Sequence, residues 1–219
     1  MSVGAPRLLF DADILIKLSV LDCFADAIAA LGFKLSECAT MRSMTRSAGV
    51  DNQAIREQRA GVGKPARRLF TTLRAIPTID KMTDEEKLLS TRIAAAALEH
   101  QLAVDGGEAL LFSVSICRAL PYVTTGDKKA IFSLPQLAQS VPEVAQLQGL
   151  LLPFEYLLLA LLDKVGYAAL EPRLAAGCGC DQGLAVMLDR AAGDSAALYA
   201  ALREKLAAAS KRAPRYLRP

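Results

Sequence analysis

Two short apolar runs that each end in an acidic turn most constrain what this chain can fold into. The run LLF stops at Asp11, and the run PYVTT stops at Gly126 and Asp127. A carboxylate at the end of a buried strand is costly unless it is hydrogen-bonded, binds a cation or does chemistry. Because ligands collect at the carboxyl ends of open parallel sheets, the two turns predict a site.

The segments between these runs predict an alternation of strands and helices. Residues 7–10 are predicted as a strand, 14–31 as a helix, 33–35 as a short strand and 121–125 as a later strand. Such an alternation is typical of α/β proteins with a parallel sheet. With 5% aromatic residues and no Trp, the predicted core is aliphatic.

The chain is long enough for one α/β domain with an appended helical part. We predict an α/β domain over residues 1–149 and a helical C-terminal extension, residues 150–219, packed on it. Residues 150–162 are predicted as a buried helix, because this apolar stretch is shorter than the ~20 residues that a bilayer requires. The basic tail after Ala209 is predicted to be disordered.

Composition favours a cytoplasmic protein without a membrane segment. The five cysteines are odd in number and irregularly spaced, which argues against a secreted disulfide framework. The first residues lack the charged leader and apolar core of a signal peptide, and none is expected. A net charge of +3 does not by itself indicate a nucleic-acid binder, but local clusters of basic residues can.

Three carboxylates are predicted to converge. Asp11 and Asp127 follow strands, and Glu108 lies at the start of the intervening helix. Because like charges repel, Mg²⁺ or Mn²⁺ is the usual means of keeping such a group ionised, and the cation would promote hydrolysis of a phosphodiester. Taken singly, each acid can instead serve only to cap or start a helix.

Three motifs, LLFDADILI, DGGEALLFSV and YVTTGDKKA, resemble those of the PIN-domain nucleases over about the first 130 residues. The resemblance implies a three-layer α/β/α fold with a central parallel sheet and a Mg²⁺- or Mn²⁺-dependent ribonuclease, often the toxin of a toxin/antitoxin pair. By position, Asp11 would be the first metal ligand, Glu108 the acid of the late helix, and Asp127 the acid after the last motif strand.

The resemblance also implies supporting residues and partners. Asp13 and Asp105 stand beside matched positions and would assist, and the Thr125 hydroxyl would support the turn before Asp127. RNA is the expected partner, and an antitoxin or another protein, or a homodimer, is compatible with the family. Between the motifs lies a cluster of basic residues: Arg56, Arg59, Lys64, Arg67 and Arg68. In a nuclease these residues would contact RNA phosphates, and the alternative is that they form only a solvated helix face.

One family position is not matched. A Glu is expected on the helix after the second strand, but Arg42 and Ser43 occupy the corresponding stretch. Glu37, Asp51 and Glu57 are the acids nearby. A degenerate PIN-like module that binds nucleic acid or protein without cleavage is therefore an alternative.

A haloacid-dehalogenase-like phosphatase is another alternative. Asp11 and Asp13, separated by one residue after an apolar strand, fit the nucleophile and general acid of that family. Against it, Ile131 stands where a second acid is expected four residues after Asp127, and Glu108 is left without a role.

Overall fold

The computed structural model describes residues 6–218. The first five residues, where no signal peptide is expected, lie outside the described residues. The centre of the structure is a five-stranded, all-parallel sheet in the order β3-β2-β1-β4-β5, with helices on both faces. The predicted three-layer α/β/α architecture is confirmed. The strands are β1 Leu8–Phe10, β2 Cys38–Met41, β3 Thr78–Ile79, β4 Tyr122–Thr125 and β5 Leu151–Pro153.

Strand β1 lies in the middle of the sheet because its three residues are apolar and buried on both faces. Leu8 and Phe10 pack into the core on one face, and Leu9 packs into the core on the other. Leu8 aligns with Cys38 of β2 and with Tyr122 of β4. A continuous apolar run is what a central parallel strand requires, since helices cover both of its faces.

The helices divide between the two faces of the sheet. Most of α1, α2, α5 and α9 to α12 packs with Leu8 and Phe10, whereas α6, α7 and α8 pack with Leu9. The helices are α1 Ala12–Val20, α2 Phe24–Ala30, α3 Arg42–Ser47, α4 Gln53–Ala60, α5 Lys64–Ala75, α6 Asp84–Glu99, α7 Gly106–Cys117, α8 Lys128–Ser140, α9 Phe154–Val165, α10 Tyr167–Gly177, α11 Gln182–Ala191 and α12 Ser195–Arg212.

Three predicted elements differ in the structure. The helix predicted over 14–31 is two helices, because the backbone of Asp22 turns left-handed at φ 58°. The strand predicted over 33–35 is wrong: Leu35 begins a 3₁₀ turn, and the buried run Cys38–Met41 forms the strand. The apolar stretch 150–162 begins with strand β5 before the helix starts, because edge positions of a buried sheet also select Leu.

The C-terminal tail is ordered through residue 218, which corrects the predicted disorder. The Leu151 N–H donates to the Tyr216 carbonyl (3.2 Å), and the Arg218 N–H donates to the Leu151 carbonyl (3.1 Å). The tail thereby covers the exposed edge of β5, which would otherwise present unpaired backbone groups. Among residues 6–218, no helix combines the length and apolar character needed to cross a bilayer.

Candidate active site

The two acidic turns lie side by side at the carboxyl edge of the sheet. Asp11 follows β1, Asp127 follows β4 after Gly126, and these strands are hydrogen-bonded neighbours. From β1 the chain continues to β2 on one side of the sheet, whereas β4 lies on the other side. This is the point where the strand order reverses, and open α/β sheets bind ligands there.

Two threonines on the strands flanking β1 fix the backbone around Asp11. The Asp11 N–H donates to Thr124 Oγ1 at 3.3 Å. The Thr40 hydroxyl donates to the Phe10 carbonyl at 2.8 Å. Sequence reasoning missed both threonines, because neither is adjacent to an acid in the chain.

The Asp11 side chain differs from an ordinary helix cap. It precedes α1 but makes no capping hydrogen bond with its carboxylate. Burial, reinforced by the neighbouring charge of Asp13, raises the pKa of Asp11 to about 6. A carboxylate that is partly desolvated and not used as a cap is a candidate functional group.

Asp127 has a structural role as the cap of helix α8. Asp127 Oδ1 accepts from the Lys129 N–H (2.6 Å) and the Ala130 N–H (3.1 Å). Its own N–H donates to Thr125 Oγ1 at 3.3 Å, so the threonine hydroxyl contacts this turn. These contacts fix the orientation of the Asp127 carboxylate toward α8.

Asp105 and Glu108 form a capping box at the start of α7. The Glu108 N–H donates to Asp105 Oδ1 (2.9 Å), and the Asp105 N–H donates to Glu108 Oε2 (2.9 Å). Burial and the hydrogen bond with Asp105 raise the pKa of Glu108, while that hydrogen bond lowers the pKa of Asp105. The two carboxyl groups therefore titrate as a coupled pair.

The predicted acids line a common cavity, here called the acidic pocket. Its volume is about 470 Å³, and its walls are formed by Asp11, Asp13, Glu108, Gly126, Asp127, Lys128 and Lys129. A smaller cavity of about 220 Å³ adjoins Asp11, Asp13 and Glu108 and is also lined by Asp105 and Arg59. Folding therefore brings together acids that are far apart in the sequence.

The carboxylates of the acidic pocket do not form a closed metal cage. Within the described part of the chain, no three or more His, Cys, Asp or Glu side chains lie close enough to hold an ion together. Mg²⁺, however, is commonly bound through one or two carboxylates, with waters and substrate phosphates completing its shell. The donors fit that arrangement, with Asp11 as the carboxylate not used as a cap.

Lys17 lies beside the acidic turn and was missed by sequence reasoning. Its ammonium contacts Asp13 Oδ2 at 2.6 Å and Asp181 Oδ2 at 2.8 Å. Burial disfavours the charge on Lys17, but these two ion pairs outweigh it and raise the pKa of the lysine. The same ion pair outweighs burial at Asp181 and lowers the pKa of that carboxyl.

Gly126 lies against this ion pair. A Cβ atom at this position would lie 2.1 Å from Asp13 Oδ2 and 3.2 Å from Lys17 Nζ. A larger residue here would therefore displace the ends of the Asp13 and Lys17 side chains.

Lys128 is a second lysine of the site that the sequence did not single out. It lines the acidic pocket and forms an ion pair with Glu155, which is 4% exposed. Glu155 lies in the first turn of α9, directly after β5. Lys128 lies within the motif YVTTGDKKA, but nothing in that motif marks it as a site residue, and Lys17 lies just after LLFDADILI.

The structure places an arginine where the family resemblance expects a further acid. Helix α3 begins at Arg42 directly after β2, and the Arg42 guanidinium pairs with Asp80 at 2.8 Å. Glu37, Asp51 and Glu57 line neither cavity that contains Asp11. None of these three acids replaces the expected one in this arrangement.

The predicted basic cluster is divided among several environments. Arg56 donates to the Gly49 (2.5 Å) and Val50 (3.0 Å) carbonyls and stacks on Phe70, which is a structural role. Arg68 pairs with Asp22 at 2.8 Å. Arg59 is exposed and reaches the cavity beside Asp11 and Glu108.

Lys64, Arg67 and Arg68 line a separate cavity of about 680 Å³, here called the basic groove. Apolar side chains of α1, α2 and the following loop form its floor, among them Leu18, Phe24, Ile28, Phe33 and Leu35. The predicted RNA-binding residues thus do not form one continuous surface with the acids.

Comparison with known proteins finds no significant similarity to this chain, whether against family models, curated proteins or solved structures.

Proposed function

We propose that this protein is a PIN-like, Mg²⁺- or Mn²⁺-dependent nuclease that hydrolyses RNA in the acidic pocket. The observation that carries the proposal is the meeting of Asp11, Glu108 and Asp127 around one cavity at the carboxyl ends of β1 and β4. A divalent cation, when bound, would activate water and offset charge on the scissile phosphate.

Each pocket residue has a distinct part in this proposal. Asp11 supplies the principal carboxylate ligand, since it is the one of the three predicted ligands that does not cap a helix, although backbone N–H groups near it partly offset its raised pKa. Burial raises the pKa of Glu108, and a bound cation would oppose that shift, because positive charge favours the ionised form. Lys128 and Lys129 bring positive charge to the pocket wall, where a phosphate would lie.

The proposed partner is RNA, with Arg59 as the basic residue nearest to the acids. The five cysteines are all free, which supports a cytoplasmic location. A role as the toxin of a toxin/antitoxin pair rests on the resemblance of the three motifs alone.

The haloacid-dehalogenase-like alternative has one supporting observation, since Lys128 lines the acidic pocket together with Asp11 and Asp13. It requires Asp13 to donate a proton to a leaving group, yet Asp13 is held in an ion pair with Lys17 at 2.6 Å. A carboxylate in such a pair acts as a hydrogen-bond acceptor.

A non-cleaving RNA-binding module is the second candidate, favoured by Arg42 at the start of α3. An arginine paired with Asp80 cannot supply the carboxylate that the family resemblance expects there. In this case the protein would bind RNA with Mn²⁺ present and leave it intact.

The deciding experiment compares Mn²⁺-dependent cleavage of single-stranded RNA by the wild type and by Asp11→Asn. Asp84→Asn, which alters an exposed acid at another helix start, is the matched control. Cleavage that is lost in Asp11→Asn and kept in the control supports the nuclease. Equal cleavage by all three proteins contradicts it, and hydrolysis of a phosphate monoester without RNA cleavage supports the phosphatase.

A further inference from the structure

Two lysines beside the acidic turn are held by carboxylates from the C-terminal segment, residues 150–219. Lys17, on α1, lies between Asp13 and Asp181, and its side chain is 10% exposed. Asp181 is itself fixed, because its Oδ1 accepts from the Leu184 N–H at 2.7 Å as the cap of α11.

The second lysine, Lys128, is anchored in the same way. Its partner Glu155 is buried at the start of α9, and Lys128 itself remains 36% exposed in the wall of the acidic pocket. A buried carboxylate with a single lysine partner strongly favours one position of that lysine, since losing the contact leaves an uncompensated charge.

The position of Lys17 bears directly on the acidic turn. Its ammonium and the Asp13 carboxylate fill the space that a Cβ of Gly126 would need. A shift of Lys17 would therefore release Asp13, which lines the acidic pocket, from its ion pair.

Lysine side chains need such anchors because they are flexible. An ammonium on a four-carbon stem populates many rotamers in water, and ordering it costs conformational entropy. Two carboxylates around Lys17 and a buried one beside Lys128 offset that cost.

We infer that Asp181 and Glu155 are positioning residues of the site, which hold Lys17 and Lys128 against the acidic turn. The C-terminal segment thereby completes the site as well as covering the sheet. The inference rests on the proposed function for its catalytic consequence, but the anchoring of the lysines is testable without it.

The first arm of the test measures lysine reactivity in the full chain. Wild type, Asp181→Asn and Glu155→Gln are treated with limiting acetic anhydride, and acetylation of each lysine is read by mass spectrometry. Acetic anhydride reacts with amines that it can reach, so a lysine released from its carboxylate partner into solvent should be acetylated several-fold faster than one that is held in an ion pair. Asp181→Asn should raise acetylation of Lys17 and not Lys128, and Glu155→Gln should do the reverse.

The matched control is Asp84→Asn, which removes the partner of the exposed Lys87 at 2.8 Å. It should leave Lys17 and Lys128 unchanged. Urea unfolding of each variant separates local release from global unfolding. Where Glu155→Gln does not fold, Glu155→Asp keeps the charge but shortens the side chain, and it should release Lys128 in the same way.

The second arm measures RNA cleavage. The two positioning variants should lower kcat about 10-fold with a smaller change in KM, as misplaced supporting groups do, while Asp84→Asn should not. Unchanged acetylation overturns the inference, as does release of the lysines with an unchanged kcat. A wild type that cleaves no RNA contradicts the proposed function, and the acetylation arm alone then decides whether the carboxylates anchor the lysines.

Discussion

The acidic pocket and the basic groove border the same helix but differ in almost every physical property. The acidic pocket lies at the start of α1, with Asp11 and Asp13 in its wall, and encloses about 470 Å³. The basic groove includes Leu18 and Ser19 toward the other end of α1 and encloses about 680 Å³. Its floor is apolar and its charged groups lie at the rim.

The difference favours the acidic pocket over the larger cavity as the proposed site. The larger cavity contains no cluster of acids, and Arg68 at its rim is paired with Asp22. The smaller one contains Asp11 and Glu108, whose pKa values are raised by burial. Carboxylates held against their ordinary ionisation are better indicators of function than apolar space.

After the loss of cleavage expected for Asp11→Asn, the largest effect is expected at Asp127. Asparagine caps a helix as well as aspartate does, so Asp127→Asn should change the free energy of unfolding by only about 0.5 kcal/mol. It removes a charge from the acidic pocket, and RNA cleavage should fall on the order of 1,000-fold, or about 4 kcal/mol in the barrier. Steady-state kinetics with urea unfolding checks both values. Full activity would show that Asp127 is only a cap.

A substitution in the floor of the basic groove should have the opposite effect to Asp127→Asn: a large loss of stability with almost unchanged cleavage. Phe33 is 8% exposed and packs edge to face on Tyr122, with ring centroids 5.5 Å apart. Phe33→Ala should cost about 3 kcal/mol of stability, because it leaves a cavity in the core. Cleavage per folded molecule should stay within about twofold, within the range of a substitution that leaves the site intact. A large loss of kcat below the unfolding temperature would show that the basic groove contributes to catalysis.

The raised pKa of Asp11 should make its neutral replacement stabilising. Between the ordinary value of 3.8 and about 6, the folded state binds more protons than the unfolded state, so stability falls as pH rises through this window. Asp11→Asn should therefore gain about 2 kcal/mol over the wild type at pH 7 and almost nothing at pH 4. Urea unfolding with EDTA at both pH values measures the difference. An equal effect at both would mean that Asp11 is not desolvated.

The smallest effects are expected for the arginines, which should differ in whether their loss changes RNA binding or stability. Arg59→Ala should raise KM for RNA about 3-fold and reduce its salt dependence, since it removes one phosphate contact at an exposed position. Arg56→Ala should leave KM unchanged but cost about 1 kcal/mol of stability, because two backbone carbonyls lose a donor. If Arg67→Ala matches Arg59→Ala, RNA extends from the acidic pocket into the basic groove.

Much of the fold was predictable because its signals are local. The start of α6 is such a signal, since Thr83 and Glu86 are three residues apart and the Glu86 N–H donates to Thr83 Oγ1 at 3.2 Å. The strand ends at Asp11 and Asp127 follow from apolar runs that stop abruptly. The second strand was misplaced, because Phe33 and Leu35 resemble strand residues and only packing shows that Cys38–Met41 pairs with β1.

The sequence by itself determined where acids interrupt buried strands and where helices begin, since each depends on neighbours within about four residues. Only the tertiary structure decided which charges meet. Lys17 with Asp181, Lys128 with Glu155, and Thr124 with Asp11 are contacts between residues far apart in the chain. Such pairs leave no local pattern, because their energy depends on distance and burial, which only the packed sheet and helices define.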